Sequence, residues 1–259
     1  MTHVLRFIVV SAFWTLLSTA PSRGATPNVE QIIQKLIERS ESSDVVNRRN
    51  NVSFQRVSRV EYLNEDGTKR RETVRIFKIV PEEGKPVTRL VSVNGRAPKD
   101  PSDKNRSAAR QTGEQSRALA LNEDLLSRFD FSFVREDKFL SRPVWVLAFV
   151  PKKGAPEESM IDKFINATTG TFWIDQQDYQ LARADVRLGK KVAFFGGIAG
   201  AIDKLDLTLI QKRLEESVWI GEAVHIDFAG RKLLKNIRFR AFENCSDFQF
   251  GEPQHARAK

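Results

Sequence analysis

The chain is 259 residues long, with 42 basic and 33 acidic side chains, a size that one all-β or α+β domain reaches. Its single cysteine, Cys245, excludes an intrachain disulfide, and its three histidines with that one thiol supply no ligand set for a zinc site. The net charge of +9, or +7 without Arg6 and Arg23, suits an anionic membrane surface, a phospholipid headgroup or nucleic acid, or simply a solvated basic face.

Residues 4–20 form an apolar run with Arg6 near its start, and Ser18, Thr19, Ala20, Ser22 and Ala25 supply the small residues of a cleavage site. We read residues 1–25 as an export signal that is removed, which makes the protein an exported one. A retained N-terminal anchor is the alternative, although the run is short for a span of about 20 residues. Residues 26–250 then form one domain and residues 251–259 a flexible tail.

Thr26 and Pro27 predict a helix start, with Thr26 as cap and Pro27 at the first helical position. Val29, Ile32, Ile33, Leu36 and Ile37 follow as one apolar stripe, which must be buried against a sheet. A helix lying on a membrane surface is the alternative. Strands follow at residues 52–63, 73–80 and 87–93, separated by turn signals at Asn64–Gly67 and ended by Asn94-Gly95.

Residues 96–116 read as a long polar surface segment, helical from about Ser107, and Leu119, Leu121, Leu125 and Leu126 suit a helix ending near Arg128. A segment of this length is a candidate lid or covering helix, with disordered decoration as the alternative. Phe129, Phe131 and Phe133 alternate with polar residues. Residues 144–150 are apolar on both faces, as in a strand that is buried twice or faces a ligand cavity on one side.

A polar stretch then leads to an apolar run at residues 160–165, and Thr168-Thr169-Gly170 reads as a turn. From residue 171 to 242 short alternating runs follow one another, at Ala182–Leu188, Leu205–Leu209, Val224–Phe228 and Leu233–Phe239, punctuated by Gly196-Gly197, Gly221 and Ala229-Gly230. This is an antiparallel meander of at least five strands that needs a covering layer over its apolar face. The final strand is expected to end near Phe242, with a frayed basic tail from Gln249.

The search for chemistry returns mostly absences. His225 is the only histidine in the folded body, and its neighbours Val224 and Ile226 point to the opposite face, so no catalytic residue is assigned. The glycines at 196, 197 and 200 lack the lysine followed by serine or threonine of a phosphate loop, and Asp203 with Asp206 lacks the ligand series of a calcium loop. Arginines beside Phe239 fit strand alternation better than a nucleic-acid platform.

Three strings carry a family resemblance: Gly170 to Asp175 (GTFWID), Leu181 to Val186 (LARADV), and Val218-Trp219-Ile220-Gly221 with Phe248 behind it. Together with the order of export signal, amphipathic helix and meander, the chain resembles the superfamily of bacterial periplasmic lipoprotein carriers. That superfamily includes the outer-membrane lipoprotein-sorting proteins and related sigma-factor regulatory sensors. The resemblance spans about residues 29–250 and implies an α+β fold, a curved antiparallel sheet forming an incomplete β-barrel with helices over its concave side. It departs in the basic insertion between Gly95 and Ser116 and in the glycine-rich loop, and no residue matches the carriers' functional arginine.

The resemblance further implies a non-catalytic protein that binds a lipid, or the acyl chains of a lipoprotein, in an apolar cavity, for transport to the outer membrane. The alternative is an interaction or sensor module with a filled core. Candidate lining residues are Phe54, Phe77, Trp145, Leu147, Phe149, Phe172 and Trp173, with Arg56 or Arg59 pairing with a headgroup at the rim. Expected partners are a lipid or lipidated protein, an envelope protein and, transiently, a membrane surface; no cofactor, metal or nucleic acid is expected.

Overall fold

The computed structural model describes residues 27–98, 122–194, 200–233 and 235–251. The expected export signal, the body of the basic insertion, the glycines at 196 and 197 and all but the first residue of the tail lie outside the described residues.

Eleven strands form one sheet in which every named pairing is antiparallel. They are β1 (Val52–Leu63), β2 (Lys69–Glu82), β3 (Lys85–Val93), β4 (Phe129–Phe139), β5 (Arg142–Pro151), β6 (Thr168–Asp175), β7 (Leu181–Leu188), β8 (Val192–Phe194), β9 (Gly200–Glu215), β10 (Val218–Lys232) and β11 (Lys235–Phe250). The order across the sheet is β3-β2-β1-β11-β10-β9-β7-β6-β5-β4, with β8 paired to β9. Two meanders are thus joined by a single long-range pairing, β1 with β11, and the sheet stays open between β3 and β4. The result is the expected α+β architecture, a curved, unclosed sheet with helices packed against it.

Helix α1 (Val29–Glu41) starts two residues later than its sequence predicts. Asn28, not Thr26, is the cap, its Oδ1 accepting from the Gln31 amide at 2.9 Å, and Pro27 stands before the helix rather than in its first turn. The stripe behaves as expected: Ile32 and Leu36 are buried against the sheet, and Val29, Ile33 and Ile37 pack around them. Each fully buried aliphatic side chain stabilises this docking by about 1.5–3 kcal/mol.

A second helix, α2 (Ser43–Asn50), has only Val45 and Val46 as apolar residues and left no periodic signal. Val45 is buried, and Arg48 ties the helix to the β9–β10 turn through Glu215 Oε2 at 2.8 Å and the Glu216 carbonyl at 3.2 Å. Two short helices follow among the described residues, α3 (Glu123–Leu126) and α4 (Met160–Ile165). In α4, Ser159 and Asp162 form a reciprocal capping box.

Several strand limits differ from expectation. Thr168-Thr169-Gly170 is the start of β6, the turn falling at Asn166 and Ala167 instead. Leu233 lies in the β10–β11 turn with a φ of 52°, not in a strand. Gly221 and Gly230 sit inside β10 rather than between strands. At Gly230 a Cβ would meet the Ala201 carbonyl at 2.6 Å, so close strand approach, not turning, calls for glycine there. β11 runs to Phe250, eight residues past the expected end, because β1 supplies partners down to the Val52–Phe250 pair. Gln249 therefore belongs to a strand and not to the tail.

One ionic cluster pins the β6–β7 turn. Arg142 forks Asp175 (Nε to Oδ2 2.6 Å, a terminal nitrogen to Oδ1 2.8 Å), and Asp175 also accepts the amides of Gln177 and Asp178. Asp178 in turn accepts from Arg213.

Candidate functional site

The strand pairings sort the side chains onto two faces, because residues directly opposite in adjacent strands point the same way. Among the described residues the helix-facing side divides into a covered half and an uncovered half.

The covered half lies on β4 to β7, beneath α1. Leu147 (0 % exposed), Phe149 (3 %) and Phe172 (6 %) pack there with Ile32 and Leu36. The rings interlock, Phe149 with Phe129 at 5.0 Å and with Phe172 at 4.8 Å, and Phe131 with Phe172 at 5.9 Å. Trp145 borders this group and lies tilted against Tyr179 with centroids 5.2 Å apart, and the Tyr179 ring also receives Lys35 at 4.6 Å. Four of the expected lining residues, Trp145, Leu147, Phe149 and Phe172, are therefore brought together, and their neighbours include α1 side chains.

The other expected residues are elsewhere. Trp173 is on the reverse face with Val144, Val146, Ala182 and Trp219, the Arg183 guanidinium 4.9 Å from its ring. β5 is thus buried on both sides, one of the two states its apolar sequence allowed. Phe77 and Phe54 belong to a separate cluster with Ile79 and Leu90. Arg56 and Arg59 point to opposite faces of β1, Arg56 over Phe77 at 4.7 Å and Arg59 over Phe242 at 4.9 Å.

The uncovered half continues the helix-facing side across β9, β10, β11 and β1. The pairing of Val186 with Leu207 carries the face from β7 onto β9. From there one rung runs Leu207, Ile226, Ala241, Val60, and the next runs Leu205, Phe228, Phe239, Tyr62. Apart from Leu205 these residues are half-buried, and Phe228 and Phe239 stack with centroids 4.9 Å apart. The reverse side of the same strands carries the rung Asp206, Asp227, Arg240, Glu61, with Lys204 bridging both aspartates. Alternation in β9, β10 and β11 was legible, but these residues were read only as strand, not as a surface left open.

At the α2 end of this half the side chains turn polar. The Arg56 Nε is buried without a hydrogen-bond partner among the described residues. Burial lowers the pKa of Arg49 on α2, which is a desolvated cation. Burial also pushes the Cys245 thiol, opposite Arg56, up to about 11; the Arg56 charge opposes the rise and Glu243 and Glu222 add to it.

Two cavities lie outside the uncovered half. One of about 300 Å³ is bounded by Lys35, Glu38, Arg39, Ser42 and Tyr179, and one of about 650 Å³ lies around Lys152, Lys153, Asn166 and Lys190. His225 stands on the reverse face, edge-on to Phe242 at 5.0 Å. Among the described residues no group of three or more His, Cys, Asp or Glu side chains is placed to hold a metal ion, and no helix is long and apolar enough to cross a membrane.

No protein-family model matches the chain, and no curated protein matches it. Among solved structures it is similar to a domain assigned to outer membrane lipoprotein sorting from Vibrio parahaemolyticus, at 15 % identity and a TM-score of 0.38, covering 85 % of this chain and 94 % of that one. It is similar to a LolA superfamily protein from Nitrosomonas europaea at 11 % identity and a TM-score of 0.32, covering 90 % and 99 %. The Pseudomonas aeruginosa MucA/MucB complex is matched at 10 % identity and a TM-score of 0.25, covering 86 % and 99 %.

Proposed function

We propose that this is a non-catalytic envelope protein that holds an acyl chain, of a lipid or of a lipidated protein, against the uncovered half of the helix-facing side of its sheet. The observation that carries the reading is the contrast between the two sides of the same four strands. Leu207, Ile226, Ala241 and Val60 present a half-buried apolar rung, while the rung behind it, Asp206, Asp227, Arg240 and Glu61, is charged throughout, with Asp206 and Arg240 exposed. An apolar strip backed by charge is the form of a surface that something apolar covers.

The magnitude follows from area. A methylene moved fully out of water gains about 0.8 kcal/mol, and a chain on an open face is wrapped on one side, so about 16 carbons gain roughly 6 kcal/mol. After the ordering cost of binding, this supports weak, exchangeable holding, as a carrier that must release its cargo requires. Arg56, at the polar end of the face, takes the headgroup anion beside Phe54 and Phe77. Lifting of α1 extends the same surface onto Trp145, Leu147, Phe149 and Phe172.

The protein acts after export, with residues 1–25 removed, in the periplasm. A second reading, an interaction module that binds another envelope protein, draws on one observation: Leu147, Phe149 and Phe172 are packed as a closed core beneath α1.

Native mass spectrometry of protein purified from an envelope fraction, with extraction of bound lipid, separates the two. The carrier reading expects a stoichiometric lipid and saturable uptake of a fluorescent acyl probe that Ile226→Asp abolishes. Empty protein with no probe uptake overturns it and leaves the interaction module.

A further inference from the structure

On the helix-facing side the apolar rung Leu207, Ile226, Ala241, Val60 has a polar neighbour. One step along the strands, about 7 Å away, the pairings bring Leu209, Val224, Glu243, Ser58 and Arg75 into line. One step further, Cys245, Arg56 and Phe77 stand side by side. Arg75 and Glu243 thus flank Ser58 from β2 and β11, and Arg56 is diagonal to both of them. Ser58 is 4 % exposed, and its hydroxyl makes no hydrogen bond among the described residues. The oxygen is not sealed, so the floor of this corner carries an open donor. A hydroxyl this deep meets little water and gains from an acceptor brought to it.

The charges around it are unanswered as well. Arg56, Arg75 and Glu243 are half-buried, and none of the three is held in an ion pair among the described residues. Arg56 lies over the Phe77 ring at 4.7 Å, with its Nε sealed and its terminal nitrogens neither sealed nor paired. The next carboxylate, Glu222, pairs with Lys212 at 3.8 Å, so Glu243 is the acid left without a cation. Cys245 registers how these groups converge: burial raises its pKa, Arg56 acts against the rise, and Glu243 adds to it. Two guanidinium groups and a hydroxyl suit an anion with several acceptor oxygens, and the carboxylate beside them suits a cation.

We propose that this corner binds phosphoethanolamine, the zwitterionic headgroup of phosphatidylethanolamine. The phosphate accepts from the terminal nitrogens of Arg56, from Arg75 and from the Ser58 hydroxyl, and the ammonium donates to Glu243. This reading rests on the acyl-holding role of the adjacent rung and names the class of lipid held there. Phosphatidylglycerol puts a phosphate beside Glu243 and brings no cation to it, and the phosphatidylcholine cation has no N–H to give.

The test uses the full chain and four probes with the same fluorescent acyl chain: phosphatidylethanolamine, phosphatidylglycerol, phosphatidylcholine and the fatty acyl methyl ester, which has no headgroup. Phosphatidylethanolamine is expected to bind about tenfold more tightly than the other two phospholipids, the worth of one charge-assisted hydrogen bond. Glu243→Gln should remove that preference and leave methyl ester binding unchanged, and Arg75→Gln should weaken all three phospholipids about tenfold. Calorimetry with free phosphoethanolamine names the source: binding as tight as the lipid's assigns the soluble compound, and weaker binding assigns the lipid. The order of the three phospholipids is read on the parent protein and stands even where a variant fails to fold. Equal affinity for the three, another phospholipid ahead, or a preference that Glu243→Gln leaves intact overturns the headgroup site, while methyl ester binding keeps the acyl reading. No binding of any of the four probes overturns both.

Discussion

The indole N–H of Trp219 donates to Asp178 Oδ2 at 2.9 Å, tying the start of β10 to the β6–β7 turn across 41 residues of chain. The same oxygen accepts from Arg213 Nε at 2.6 Å, and Arg142 stands 3.6 Å away. Trp219 is 2 % exposed and Asp178 6 %, so neither partner has water to fall back on. Asp178→Ala strands a buried indole N–H and a half-buried guanidinium and is expected to cost about 3 kcal/mol. Asp178→Asn, which keeps an acceptor oxygen, costs less. Urea unfolding followed by tryptophan fluorescence gives both values, and a cost for the alanine variant within error of zero removes the cluster as a stabilising feature.

The same carboxylate sets a pH dependence. Burial alone raises the Asp178 pKa, but the hydrogen bonds from Arg213 and Trp219 and the charges of Arg213 and Arg142 outweigh it and hold the carboxyl below its usual range. Asp162 is lowered too, by the Ser159 hydroxyl and amide and by Arg128. With folded pKa values below unfolded ones, the stabilisation is complete above the unfolded pKa of about 4 and is lost as pH falls through the folded value. Urea midpoints measured from neutral pH down to about 3 should therefore fall for the parent, and fall less steeply for Asp178→Asn.

How much of this was legible depends on which partner supplies the order. β1 was read with both its limits because alternation begins at Val52 and the Asn64–Gly67 turn stops it at Leu63. The last stretch of β11, with Glu243, Asn244, Ser246 and Asp247, looks like loop chemistry. It is strand because β1 lies alongside, a contact about 190 residues away in sequence that no local window contains. The aromatic positions 145, 149 and 172 were expected as lining of the cavity that the resemblance implies, but whether such a side chain meets a helix or a ligand is decided by where α1 docks. Trp173, one residue on, shows how the two-residue period sends a neighbour to the other face.

Gly170 carries no side chain because two neighbours occupy its space. It sits opposite Phe149 in β5 and Val186 in β7, and an added Cβ would collide with the Asp185 carbonyl and come within 2.7 Å of the Phe149 ring. The aromatic ring thus covers the backbone where glycine leaves it bare. Gly170→Ala is expected to cost about 1–3 kcal/mol through overpacking. Trimming the ring in Gly170→Ala, Phe149→Leu should relieve part of that cost, which a double-mutant cycle measures; additive effects would show that the backbone collision dominates.

Cys245 is expected to be slow toward thiol reagents. Its pKa of about 11 leaves little thiolate at pH 8.5, whereas the unfolded chain, with a thiol near 9, reacts readily. Iodoacetamide labelling followed by mass spectrometry should be slow in buffer and rapid in denaturing urea. Removing the nearby cation in Arg56→Met, which takes away the one charge that favours the thiolate, should slow native labelling further. Faster labelling in that variant would mean that Arg56 shields the sulfur instead.

The two halves of the helix-facing side make opposite predictions when one apolar residue is removed. Leu36 is fully buried between α1 and the sheet, so Leu36→Ala opens a cavity beneath the helix and is expected to cost about 2–5 kcal/mol. Ile226 is half-buried at the centre of the uncovered rung, flanked by Leu207 and Ala241, and Ile226→Ala should cost about 1 kcal/mol or less, because no surrounding packing collapses. Binding of the acyl probe should follow the reverse order: weakened several-fold in Ile226→Ala by the lost contact area, and unchanged or strengthened in Leu36→Ala, where a loosened α1 exposes more of the same surface. Thermal midpoints and probe titrations on the two variants read both effects. A probe that responds to Leu36 and ignores Ile226 would move the acyl site from the open rung to the space beneath α1.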